Sequence, residues 1–225
     1  MSMELPSVAP LRPTPRETTS EPSLVKHHSP LSKVRPIRTW KPERILDFDI
    51  ETIAAGFADP DWVPQKITCV AWSWVGSDEV RSLISGAQGL FGIPELRKAM
   101  LAPLLDQIAQ ADMLTGHNIL RFDIPVINAE AMRLGLPVIR RALVQDTMRV
   151  WRSKGFKKGQ DNIARMLKLR EEKMPLDWQA WQDAYDEQGW KTIRDRAESD
   201  VVQHKVMRLE MLKRNLLKPP VKYAA

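Results

Sequence analysis

Arg44-Ile-Leu-Asp-Phe-Asp-Ile-Glu-Thr52 alternates apolar and acidic residues with a period of two. A strand of that pattern turns Leu46, Phe48 and Ile50 to one face and Asp47, Asp49 and Glu51 to the other. Carboxylates are poor strand formers, and three on one face repel one another unless positive charge stands between them. A hard divalent cation with oxygen ligands meets that need. The plain alternative is an edge strand with a solvated acidic face, although the apolar residues read as those of a central strand.

The rest of the composition narrows the chemistry. At 225 residues the chain is long enough for one well-packed domain and too short for two large ones. Its single cysteine, Cys69, lies in the apolar run Ile67-Thr-Cys-Val-Ala-Trp72 and reads as a small buried side chain. With one Cys beside His27, His28, His117 and His204, a Cys/His zinc site is excluded. Met1 to Pro15 carries no apolar core of a secretory signal, and no stretch has the length of a membrane span. A soluble, intracellular protein without membrane contact is expected.

Net charge is +6 with a pI near 9.5. It is concentrated between Arg140 and Arg170, where Arg149, Arg152, Lys154, Lys157, Lys158 and Arg165 are among the cations and only Asp146 and Asp161 oppose them. A basic block beside an acidic metal site suits a polyanion whose phosphates need both. A solvated helical surface is the bland counterpart.

Residues 1–40 are rich in proline, serine and threonine, hold Lys26, Lys33, Arg35 and Arg38, and keep no helical or strand period. They are expected to form a disordered basic arm, either an inert linker or a tether to nucleic acid or to a replication protein. Residues 41–225 then form the folded domain. After the acidic strand the sequence predicts strands near Ile67 to Trp74 and Val80 to Ile84, and a helix from Pro94 to about Ala109 that Pro103 kinks or splits. A short strand at Met113, a helix over Ile124 to Leu134 and a strand over Val138 to Val144 follow. Helical segments are expected around Thr147, Asn162 and Trp178, and a long terminal helix from Lys191 to Leu216. This order predicts an α/β domain with a mixed sheet of about five strands flanked by helices.

Two further acids complete a pattern. Gly116-His-Asn-Ile-Leu-Arg-Phe-Asp123 places one carboxylate in apolar surroundings, with Gly116 allowing a sharp turn. Helix capping is the ordinary role for Asp123 there, as it is for Asp146 before Thr147. The terminal helix carries Asp195-Arg-Ala-Glu-Ser-Asp200-Val, where Asp200 borders the packed stripe and Ala197 is small enough for close approach to a sheet. Asp49-x-Glu51-Thr52, Gly116-His-Asn-x-x-x-Phe-Asp123 and Ala-x-x-Asp200-Val, in that order, resemble the DEDD superfamily of 3′-to-5′ exonucleases, which share the ribonuclease H-like fold and include proofreading exonucleases. The resemblance runs from about Ile45 to Leu212.

That resemblance implies a role for each matching position. Asp49, Glu51, Asp123 and Asp200 would hold two divalent ions, magnesium or manganese, one activating water and one stabilising the leaving 3′ oxygen. Thr52, His117 and Asn118 would line the terminal nucleotide's site and Trp62 would stack on a base, while the basic block, read from its charge alone, would track phosphates through Lys154, Lys157 and Lys158. The implied substrate is nucleic acid, with single-stranded or frayed DNA 3′ ends favoured over RNA. The implied setting is replication or repair in the cytoplasm of a bacterium or of an infected host cell. Asp47 has no counterpart in the pattern and is expected to be dispensable. The superfamily's general base is a His five residues before the last acid or a Tyr four before it; here those positions hold Asp195 and Arg196. Asp195 acting as base, His204 one turn beyond Asp200 as a relocated base, and no base at all remain open. A ribonuclease H-like endonuclease and a binding module with an impaired site are the alternative functions.

Overall fold

The computed structural model describes residues 42–54, 65–85, 93–150, 157–170, 174 and 187–225. The expected arm, Trp62, Lys154 and the expected helix near Trp178 lie outside them. The described residues belong to one unit, Lys41–Ala225.

The acidic stretch is strand β1, Ile45–Ala54, at the middle of a sheet. It pairs antiparallel with β2, Gln65–Trp74, which pairs antiparallel with β3, Arg81–Ile84. On its other side β1 runs parallel to β4, Met113–Gly116, and β4 runs parallel to β5, Arg141–Asp146. A short β6, Val221–Ala224, closes that edge antiparallel to β5. The sheet therefore has six strands in the order β3-β2-β1-β4-β5-β6, one more than expected. The missed strand is short and follows Pro219-Pro220, so its pairing comes from the free edge of β5 and not from a local pattern.

Helix α1, Pro94–Gln110, leads from β3 to β4, helix α2, Asp123–Arg133, joins the parallel pair β4 and β5, and both cover one face. Leu46, Phe48 and Ile50 meet Met100, Leu101 and Leu104 of α1 and Ile124 and Ile127 of α2 in the larger core. Pro103 does not split α1. A proline at that place frees the carbonyl of Ala99, and Ala99 is exposed, so water can take the lost partner's place. On the opposite face lies the long helix α4, Glu187–Lys213, with α3, Gln160–Leu167, beside it. Cys69 and Ala71 of β2 pack on Ile193, Ala197 and Val201 of α4, and Ile163 and Leu167 of α3 on Met207 and Met211. The small side chains at Cys69, Ala71 and Ala197, all fully buried, let helix and sheet approach closely. The outcome is a sheet between two helical layers, with the acidic face of β1 under α4.

The β1–β2 ladder contains one irregularity, and it falls at the acids. Glu51 pairs with Cys69 but Thr52 pairs with Ile67, so Thr68 is an extra residue in β2. Its hydroxyl donates to the Glu51 carbonyl at 3.1 Å. A bulge of this kind bends and twists the strand and re-aims the side chains beside it.

Candidate active site

Alternation along β1 sends Asp47, Asp49 and Glu51 towards α4, and Asp200 comes down from that helix to meet them. Carboxylate oxygens of Asp49, Glu51 and Asp200 all lie within 4.8 Å of one another. Asp200 is held in place from α3, where Gln160 Nε2 donates to the Asp200 backbone carbonyl at 2.9 Å and to Gln203 Oε1 at 3.0 Å. Three hard oxygen donors at this spacing fit a magnesium- or manganese-like ion.

Asp123 is adjacent to this trio and is not part of it. Its Oδ1 accepts the Ile50 N–H at 3.2 Å, tying the first turn of α2 to the middle of β1. It does not cap α2, whose preceding residue, Phe122, makes no side-chain cap either. Its charge is nonetheless felt: after burial, Asp123 and then Asp200 are the largest causes holding the Asp49 carboxyl well above its ordinary range. Burial, then Asp49 and Asp200, raise Glu51 in the same direction. Burial alone leads for the other two, which lie near about 7 for Asp200, partly restrained by Arg196, and about 8 for Asp123.

These shifts set the pH dependence of the metal-free fold. An acid whose pKa is raised on folding is the weaker proton binder when unfolded, so stability falls as pH climbs from the unfolded value towards the folded one. His117 works oppositely below 6.5, because burial lowers its pKa to about 4 and its stabilising effect grows as pH rises through that interval. The window from 6.5 to about 8 therefore belongs to the carboxyls. Across it the melting temperature of metal-free protein is expected to fall by roughly 5 °C, and saturating magnesium should flatten the slope. A metal-free melting temperature that holds or rises over that interval in calorimetry contradicts this arrangement.

The segment after β4 is built by three devices. Gly116 is needed for close approach and not for a turn: a Cβ there would stand 2.3 Å from Ile119 Cγ2 and 2.9 Å from the Phe48 carbonyl oxygen. The left-handed position is instead Asn118, at φ 67. Asp146 pins the loop, accepting from the Asn118 and Leu120 N–H groups at 2.9 and 3.2 Å as well as from Met148 N–H at 2.9 Å. Capping was thus a correct but partial account of Asp146.

His117 and His204 are both spent on protein groups. His117 lies 2.8 Å through Nε2 from the Lys158 carbonyl and 3.0 Å through Nδ1 from Thr147 Oγ1. It fastens the loop and has no ring nitrogen left for a nucleotide, which corrects the binding role expected for it. His204 is buried with Nδ1 at 2.7 Å from Asp47 Oδ2 and Nε2 at 3.0 Å from Thr147 Oγ1. It shares the α4 face with Asp200 but is turned to Asp47, so it is not a relocated base. Asp195 is 45 % exposed and 3.9 Å from Lys191. Thr52 follows the bulge and is half-buried.

Sequence reasoning passed over Arg196 except to note that it is not tyrosine. Its Nε stands 3.2 Å from Asp200 Oδ2 and 3.8 Å from Glu51 Oε1. Its i, i+4 spacing from Asp200 was a legible signal. Next to the loop, Asn118, Asp146 and four cations, Arg121, Arg149, Lys158 and Lys218, line a cavity of about 320 Å³. Lys157 is exposed nearby in sequence.

A family model described as the RNase_H superfamily matches residues 46–211. No curated protein sequence matches the chain. Among solved structures, the family B DNA polymerase from the hyperthermophilic archaeon Pyrobaculum calidifontis superposes with a TM-score of 0.54 at 19% identity, covering 75% of this chain and 24% of that one. This likeness is one of fold, and the chain spans about a quarter of that polymerase. No described helix is long and apolar enough to cross a membrane.

Proposed function

The chain belongs to the RNase H superfamily, and from that premise we propose that it is a metal-dependent nuclease removing nucleotides from the 3′ ends of single-stranded or frayed DNA. The observation that carries this reading is the convergence of Asp49, Glu51 and Asp200 within 4.8 Å of one another, with Asp200 supplied by the helix over the sheet. A divalent ion bound there would supply Lewis-acid stabilisation of the charge that develops on the phosphate during cleavage.

The chain's own residues would do the rest. The bulge at Thr68 sets the angle of Glu51, α3 fixes the height of Asp200, and Asp123 keeps β1 in line with α2. Asp200 is buried and Asp49 and Glu51 are partly so, which limits the screening of their charge by bulk water. Asn118, with its backbone held by Asp146, would face the terminal nucleotide. Among the described residues the imidazoles and the phenol, His117, His204 and Tyr223, are all hydrogen-bonded away from the trio. The attacking water would therefore give its proton to a carboxylate or to solvent.

Magnesium and single-stranded DNA labelled at its 5′ end test the proposal. A ladder shortening one nucleotide at a time from the 3′ end supports it. Discrete internal cuts would make the protein an endonuclease, and a gel shift without cleavage a binding module, the reading favoured by Arg196 standing where the resembling family has tyrosine. RNA of the same sequence decides which sugar is preferred.

The cavity cations give a separate expectation. Arg149→Ala with Lys158→Ala should weaken binding of a long single strand and flatten its log–log salt slope by about 1.4, at about 0.7 per lost phosphate contact. Cleavage of a dinucleotide should change little. Equal losses on long and short substrates would assign these side chains to folding or chemistry.

A further inference from the structure

We propose that His117 and Gln145 are positioning residues for a phosphate site: working from inside the fold, they hold the backbone at Lys158 and Lys218, so that the cation-lined cavity after β4 is set before its ligand arrives. The inference deepens the nuclease reading and rests on it for the ligand being a polynucleotide strand.

The cavity lies at the carboxyl ends of the parallel strands. Asn118 follows β4 and Asp146 ends β5, while β1, parallel to β4 and next to it, carries Glu51 towards the same end of the sheet. Ligands of open sheets with parallel strands bind beyond those ends. Arg121, Arg149, Lys158 and Lys218 bring four positive charges to a space of about 320 Å³. The carboxylate among the described lining residues is Asp146, and its oxygens are engaged by the N–H groups of Asn118, Leu120 and Met148. Four cations without a free counter-charge repel one another, and the oxygens of phosphate groups relieve that repulsion.

Such a cluster keeps its geometry only if something holds it from behind. At Lys158 the holder is His117, whose Nε2 donates to the Lys158 carbonyl at 2.8 Å and whose Nδ1 is 3.0 Å from Thr147 Oγ1. Thr147 is fully buried, and its hydroxyl is also 3.0 Å from Nε2 of His204, whose other nitrogen meets Asp47 of β1. At Lys218 the holder is Gln145, whose Nε2 donates to the Lys218 carbonyl at 3.4 Å. Gln145 Oε1 in turn accepts from Arg208 Nε and Nη2 at 3.1 and 2.9 Å. Burying these polar side chains is costly unless each finds partners, and apolar packing would serve stability alone at least as well. What the two chains of hydrogen bonds share is their end point, the backbone of a cavity lysine. A backbone fixed beforehand need not be ordered on binding, and affinity gains accordingly.

Binding of a short labelled thymidylate strand by fluorescence anisotropy, and of inorganic tripolyphosphate by calorimetry, both in EDTA, tests this without cleavage. His117→Ala is expected to raise both dissociation constants about five- to tenfold. His117→Gln should restore them, since its amide can donate to the Lys158 carbonyl and accept from Thr147. If His117 acts through Lys158, His117→Ala should add little to Lys158→Ala in the double variant. Gln145→Met, which keeps the side chain's length but cannot donate, should behave likewise with Lys218→Ala, and this pair decides if His117→Ala does not fold. Additive losses in both pairs, no rescue by His117→Gln, or a wild type that takes up neither ligand overturns the inference. Tripolyphosphate bound with the expected non-additivity, but no strand bound or cut, would uphold the phosphate site and sink the nuclease reading. Cleavage of DNA with additive losses would do the reverse.

Discussion

Asp49→Ala, Glu51→Ala and Asp200→Ala are each expected to lower the rate of phosphodiester cleavage by about 10³-fold or more, while the proteins stay folded. Each removes one oxygen donor from a trio gathered within 4.8 Å, and a ligand set acts as a unit. Double variants should therefore be little worse than single ones. Asp123 needs a different pair of substitutions because it does two things. Asp123→Asn keeps an acceptor for the Ile50 N–H and removes the charge beside Asp49; Asp123→Ala removes both and leaves a buried donor unpaired, at about 1–3 kcal/mol. Equal activity loss in the two, with only the alanine variant melting early, would assign the charge to the reaction and the hydrogen bond to the fold. Asp195→Ala is the control, since its side chain is half-exposed and loosely paired with Lys191. Single-turnover rates on a labelled oligonucleotide read all six single variants. A loss at Asp195 as deep as that at Asp49 would make Asp195 the general base.

The contrast between Asp49 and Arg196 shows where sequence patterns carry and where they stop. Period-two alternation is a local property, so the face of β1 that holds Asp47, Asp49 and Glu51 was legible from nine residues. The capping sense of Asp146 was legible for the same reason, since Met148 is two residues away. What alternation cannot give is the partner across space. Arg196 reaches Glu51 only because small residues at Cys69, Ala71 and Ala197 bring α4 onto the sheet, and the height of that contact is set by the whole helix. Gly116 read as a turn residue because glycine most often serves conformation. Its reason here is contact with Phe48 and Ile119, which no local rule contains. β6 was missed likewise, because four residues after two prolines become a strand only when β5 offers an edge. The sheet's parallel centre, by contrast, followed from alternating strands and helices.

Asp47 is where the sequence pattern misleads most, and the second large effect is expected there. It lies on the acidic face beside the trio, fully buried, yet its carboxylate is turned to His204, 157 residues away, at 2.7 and 2.8 Å. Counting hydrogens identifies the pair. The Lys158 carbonyl can only accept, so His117 Nε2 carries a proton, and a neutral His117 then accepts at Nδ1. Thr147 has one hydroxyl proton, with His117 Nδ1 at 3.0 Å and the Gly116 carbonyl at 3.2 Å both able to take it. His204 Nε2, also 3.0 Å from that hydroxyl, is satisfied only as a donor, while its Nδ1–H faces Asp47. His204 thus gives its Nε2 proton to Thr147, and Nδ1 and the Asp47 carboxyl share one proton between them. Asp47 and His204 form a buried, closely hydrogen-bonded acid–base pair, and Asp47 also bears on buried Arg208. Breaking such a pair from one side costs about 3–5 kcal/mol, so Asp47→Ala should melt roughly 10 °C lower than wild type. The Asp47→Ala, His204→Ala double variant should be less unstable than the two losses added, because neither partner is then stranded. Asp47→Asn, assayed well below its melting point, should bind metal as wild type and cut within a few-fold of it. Unchanged stability in Asp47→Ala would remove the pair from this account, and metal binding lost in Asp47→Asn would move Asp47 into the ligand set.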